Sequence, residues 1–171
     1  MKSLLAYATW ALVLCCVPVL SQAQNIAIPL RSFEEVPSIS SGASGMFLAR
    51  IADGTIAYRL SYDGLQGEVR QAHIHIGQKG VNGGVSVFLC QTVANPDPTG
   101  LAPVCPPSGE VTGLLLPANI IGPAGQGITP GEFAELVTAI RKGVAYVNVH
   151  SSLFPAGEIR GQLDRGMHFW H

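Results

Sequence analysis

From Thr55 to Tyr62 the chain reads TIAYRLSY, with Ile56, Tyr58, Leu60 and Tyr62 alternating against Ala57, Arg59 and Ser61. Strict alternation over this length predicts a strand with one face buried. The preceding run, MFLARIA over 46–52, is separated from it by Asp53-Gly54, and two such runs around Asp-Gly predict a tight hairpin. Further strands are predicted over 69–76, where Ala72, Ile74 and Ile76 alternate with Gln71, His73 and His75, and over 85–90, 110–116, 144–150 and 158–163. One helix is marked: Thr129 as cap, Pro130 at the first helical position, Glu132 completing a capping box, and Phe133, Leu136, Val137 and Ile140 on one face, with Gly143 at the end. Short strands with turn residues at intervals of about ten, and no alternation of helix with strand, predict an all-β fold. The expected architecture is an antiparallel sandwich or barrel, immunoglobulin-like or superoxide-dismutase-like, with one short helix in a connection.

The start of the chain follows a different pattern. Lys2 precedes an apolar run from Leu4 to Leu20, interrupted by Thr9 and Pro18 and followed by Ser21-Gln22-Ala23. This is the layout of a secretory signal, so residues 1–23 are expected to be removed, leaving no transmembrane anchor and a protein secreted or held in the periplasm. The remaining residues divide into an N-terminal segment 24–40, a β domain over 41–165 and a tail 166–171. The tail carries Met167-His168-Phe169-Trp170-His171, read as loosely held.

Export changes the reading of the cysteines. Cys15 and Cys16 lie in the leader, and the remaining two, Cys90 and Cys105, are expected to form a disulfide in an oxidising compartment. That bond would pin the loop over 91–107, which is rich in Asn, Pro, Asp, Thr and Gly. Only 12% of residues are charged, and the chain has no basic stripe, so a nucleic-acid partner is excluded. No phosphate-cradling or nucleophile-elbow pattern occurs: Gly83-Gly84 lacks the following helix and lysine and reads as a turn entering a strand.

Several blocks resemble the CHRD domain: AHIHIG over 72–77, GGVSVFL over 83–89, the helix with Gly143, YVNVHS over 146–151 and PAGEIRGQL over 155–163. That domain is named for chordin, where it is repeated, and it also occurs alone in bacterial exported proteins. The resemblance spans about Ser41 to Leu163 and implies an extracellular β-rich module without an assigned biochemical role. Growth-factor binding, the context in chordin, does not carry over to a single copy. The partner expected is an extracellular or envelope protein or glycan. The family-like positions read as structural are Gly77, Gly84, Tyr146, Asn148, Pro155, Gly157, Glu158, Arg160 and Gly161. Gly157 suits a turn, and Gly161 a bulge or close approach within a strand.

The histidines carry the candidate chemistry. His73 and His75, two apart on a strand, leave the same face about 7 Å apart, and His150 at the end of another strand supplies a third imidazole. Such a set would take zinc or copper, although the sequence requires no cofactor. It is similar to the copper-binding His-x-His strand of copper-zinc superoxide dismutases, but a second His/Asp cluster and the matching Arg and disulfide are missing. The competing expectation places the three rings in hydrogen bonds to nearby loops, on a polar outer face of the sheet. Asn148 shares a face with Tyr146 and His150 and is expected to bond loop backbone, while Glu158 and Arg160 are expected to pair across strands. Ser151 and Ser152 adjoin His150 without an orienting acid or oxyanion site, so acyl transfer is excluded and a non-catalytic module is the leading expectation.

Overall fold

A computed structural model describes residues 23–164. Residues 1–22, which hold nearly all of the expected leader, and 165–171, which hold the Met167–His171 tail, lie outside the described residues. Eight strands form one antiparallel sheet: β1 (Gln24–Arg31), β2 (Ser44–Ala52), β3 (Thr55–Asp63), β4 (Val69–Ile76), β5 (Gly84–Cys90), β6 (Gly109–Leu115), β7 (Ala145–Ser151) and β8 (Ile159–Gln162). Their spatial order is β5-β4-β7-β8-β1-β2-β3-β6. The two ends of this order meet, because the Tyr58 hydroxyl on β3 donates to the Leu89 carbonyl on β5 and a Cys90–Cys105 disulfide ties β5 to the approach of β6. The all-β sandwich or barrel expected from the alternation is therefore the fold, curled around a single core.

Alternation builds that core. Ile26, Ile28 and Leu30 of β1, Phe47, Ala49 and Ile51 of β2, and Ile56, Tyr58, Leu60 and Tyr62 of β3 all point inward. The predicted hairpin closes through Asp53 at φ 50° and Gly54 at φ 73°, the pair of left-handed residues that a two-residue turn of matching twist requires. Ala72, Ile74 and Ile76 face the same core from β4, as do Ala145, Val147 and Val149 from β7.

Three expectations are corrected. The segment 24–40 is not a separate lead-in: Gln24–Arg31 is a full strand between β2 and β8. Pro29, which removes a ladder donor, obscures it in sequence, yet Pro29 pairs opposite Met46 without breaking the register. The helix spans Phe133–Arg141 rather than starting at Pro130. Gly131 sits at φ 88°, outside helical space, although the Thr129 N–H still donates to the Glu132 carboxylate at 2.6 Å as a capping box would have it. Gly143 ends the helix as expected: its N–H bonds Ile140 O and that of Val144 bonds Ala139 O, both at 3.0 Å, which is a Schellman motif.

The third correction concerns the second face of β4, β7 and β8. Sequence alternation places its polar residues on an exterior, but every residue of β7 and β8 is buried. The loops after β1, β4 and β7 fold over this face and make it a second, polar interior layer.

Candidate functional site, a buried polar layer

Register assembles the layer. His73 lies opposite Asn148 and His75 opposite Tyr146 across β4–β7, while Tyr146 faces Gln162 and Asn148 faces Arg160 across β7–β8. Because side chains alternate with period two, all of them leave the sheet on one side. His73, His75 and His150 are exposed by only 2%, 7% and 6%. Phe88 from β5 packs its ring edge-on against His73 at 4.2 Å, and the Tyr146 ring stacks on His75 at 4.8 Å.

The hydrogen bonds fix the protonation of the three rings. His150 Nδ1 lies 3.0 Å from the Pro155 carbonyl and His75 Nδ1 lies 3.0 Å from the Gly83 carbonyl; a carbonyl only accepts, so both Nδ1 atoms carry the proton. The Nε2 of neutral His150 is then bare, and it accepts from His73 Nδ1–H at 3.1 Å. All three rings are Nδ1–H tautomers, which leaves His73 Nε2 and His75 Nε2 as buried lone pairs without a hydrogen-bond partner. Burial drives the rings to the neutral form, lowering His75 and His150 to about 4 and His73 further, with the neighbouring imidazoles adding repulsion at His73.

The rest of the layer ties down loops. Asn148 Nδ2 donates to both oxygens of Glu35, at 2.7 and 2.9 Å. Glu158 accepts from Ser41 Oγ and from the Gln66 N–H, both at 2.8 Å. Arg160 donates to Asn82 Oδ1, Gln78 O and Val81 O, and its guanidinium lies 3.4 Å above the Tyr146 ring. Gln162 bonds the Gly77 and Gly143 carbonyls at 2.9 Å each, and the Tyr146 hydroxyl accepts from the Gly83 N–H. Glu158 and Arg160 thus bond separate loops and not each other.

The family-like glycines allow close approach. A Cβ at Gly161 would lie 2.6 Å from Pro29 O, so its absence lets β1 sit against β8. At Gly84 it would meet the Pro123 ring at 2.5 Å, and at Gly77 it would meet Val81 O at 3.0 Å. Gly157, beside Pro155, has φ 132° and faces the Asn148–Glu35 pair.

Glu35 is the residue that sequence reasoning misses. It is buried, and desolvation raises its pKa to about 7 against the opposing hydrogen bond from Asn148. It follows a single 3-10 turn, Ser32–Glu34, where no periodicity reports which residue points inward. The neighbouring Glu34 is only half-buried and pairs with Lys79. The signal that does exist is indirect, since a buried Asn148 amide needs an acceptor from somewhere else in the chain.

With the layer in view, its residues coincide with the blocks that resemble a known family, and a family comparison matches residues 26–163 to the CHRD domain. The chain belongs to the CHRD domain family. The match begins at residue 26, upstream of Ser41, and so takes in β1, as the sheet does. Comparisons with curated proteins and with solved structures find no match. A CHRD domain is an extracellular kind of module, and membership supports a non-catalytic role. The formed Cys90–Cys105 pair fits an oxidising compartment. Among the described residues no helix is long and apolar enough to cross a membrane.

Proposed function

We propose that this CHRD domain works after export, in the periplasm or outside the cell, as a non-catalytic module that organises or binds an envelope or extracellular protein or glycan. The observation that carries this reading is the use made of the family's polar residues. Asn148, Glu158, Arg160 and Gln162 spend their hydrogen bonds on the chain's own loops and so hold a shape. Fractionation of cells making the full chain tests the export half. The reading expects protein in the periplasm or medium, beginning at Gln24 and without free thiols; intact leader and reduced Cys90 and Cys105 in the cytoplasm would contradict it. Capture from envelope or culture fluid on immobilised mature protein tests the binding half, which fails if nothing is retained beyond what a disulfide-reduced, unfolded control retains.

A second reading rests on one specific observation, the clustering of three buried imidazoles in which His75 Nε2 has no hydrogen-bond partner and His73 Nδ1 and His150 Nε2 bond only each other. We infer that His73, His75 and His150 hold a metal ion of the zinc or copper type. One nitrogen from each ring lies within 4.8 Å of the others. His75 and His150 are also oriented by Nδ1–H bonds to carbonyls, the outer-shell arrangement that metal-binding imidazoles use. Metal analysis of gently purified protein, followed by titration, tests it: no zinc or copper retained and none taken up would end this reading.

A further inference from the structure

The donor set and the charge around it narrow the ion. This step rests on the metal reading above. We propose that the three-histidine cluster is a site for one monovalent copper ion, Cu(I), and discriminates against divalent zinc.

The first argument is donor chemistry. Among the described residues the cluster consists of imidazoles alone, with no carboxylate or thiolate in it. Glu35 is turned to Asn148 and Glu158 to Ser41 and Gln66, while Cys90 and Cys105 are joined to each other. Zinc sites are almost always four-coordinate, and a three-ligand zinc keeps a water in the fourth position. Phe88 packs edge-on against His73 and Tyr146 stacks on His75, so aromatic rings flank the cluster. Three buried nitrogens with no fourth protein donor among the described residues suit an ion content with three ligands.

The second argument is charge. Three neutral imidazoles add no negative charge to offset an ion, and an unbalanced charge is costly away from water. Arg160 fixes a positive charge over Tyr146, whose other neighbour is the His75 ring. In the same buried layer lie the two carboxyls of Glu35 and Glu158. Burial raises Glu35 to about 7, so near neutral pH these three groups together offset at most one positive charge. A monovalent ion is the most that the layer can balance; a divalent one leaves at least one positive charge buried in it.

The geometry is part-formed: one pair of nitrogens is already at coordination spacing, and the three all lie within 4.8 Å of one another, so the third ring closes in when the ion binds. Two nitrogens bound to one ion at about 2.0 Å lie about 3.3–3.5 Å apart, and His73 Nδ1 and His150 Nε2 are already 3.1 Å apart. Entry of the ion replaces the proton between them. His73 keeps one proton, on its other nitrogen, so the ring remains neutral and no charge leaves with the exchange.

The test uses the oxidised, exported protein, free of oxygen and with a non-thiol reductant. It is titrated with Cu(I) against a chromophoric Cu(I) chelator and, separately, with Zn(II) against a zinc indicator. The expected result is one Cu(I) per chain, with zinc binding at least about a hundredfold weaker, and X-ray absorption showing nitrogen neighbours at about 2.0 Å. His150→Gln and His73→Gln, confirmed folded by circular dichroism and by an intact disulfide, should each weaken Cu(I) binding beyond the roughly 10–100-fold that loss of an outer-shell partner costs. Zinc bound as tightly as Cu(I) overturns the Cu(I) assignment and leaves the metal reading standing. Uptake of neither ion overturns both. Cu(I) uptake that survives the histidine substitutions moves the ion elsewhere and overturns this site.

Discussion

At the scale of single residues, the polar layer makes the protein acid-sensitive in a way whose sign can be worked out. His75 and His150 are lowered from 6.5 to about 4, and His73 further, because burial disfavours their charged forms. As pH falls below 6.5 the unfolded chain takes up protons that the folded chain refuses, so stability declines until about pH 4. For either His75 or His150 the gap corresponds to about 3 kcal/mol. Glu35 works the other way. Raised from 4.5 to about 7, it favours the fold at low pH and loses that contribution as pH rises through 7. Three histidines outweigh one carboxyl up to about pH 7, and above that the two contributions nearly cancel. Urea midpoints should rise from pH 4 to about 7 and then level off, and Glu35→Gln should make the rise between pH 4.5 and 7 steeper. A wild-type curve that is flat below pH 6.5 would contradict the burial of the rings. Gly157→Ala tests the same layer sterically: at φ 132°, with an added Cβ 2.6 Å from Asn148 Oδ1, it should cost about 2–3 kcal/mol in a denaturant titration. The three histidines were legible in sequence because period two puts them on one face. Glu35 was not, since it sits in a turn where spacing carries no information about direction.

At the scale of elements, legibility followed periodicity. The β2–β3 hairpin announces itself because two alternating runs flank Asp53-Gly54, and no other contact is needed to specify it. β1 shows the same alternation in Ile26, Ile28 and Leu30, but Pro29 masks it and only the flanking β2 and β8 confirm it. The polar face of β4 and β7 carries the opposite lesson. Alternation reports which side a residue leaves the sheet, and it cannot report that loops far along the chain return to cover that side. The helix is legible in its apolar face and its stop. Its start is not, because a capping box marks a turn that Gly131 then interrupts. The stop gives a prediction: Gly143→Ala, at φ 71° in the Schellman position, should destabilise by about 1 kcal/mol in thermal or chemical unfolding. An unchanged midpoint would mean that the turn relaxes into another conformation.

At the scale of the whole molecule, closure depends on joining β5 to the segment before β6. The disulfide spans 15 residues, and its removal in Cys90→Ser/Cys105→Ser should cost about 3 kcal/mol. Hydrogen exchange in that variant should rise first over 91–108, where the Cys105 N–H bonds Gln91 O and the Tyr62 hydroxyl bonds Pro106 O. Exchange spread evenly over all eight strands would instead make the disulfide a global clamp. The wider claim is that this CHRD domain has two interiors, an apolar one inside the curled sheet and a polar one beneath its loops. The most direct test is nitrogen NMR of the histidine rings in metal-free protein, followed from pH 8 to pH 4.5. The two-interior account predicts His73, His75 and His150 neutral with the proton on Nδ1 down to about pH 5. Rings that titrate together near pH 6.5, or carry their proton on Nε2, would contradict it.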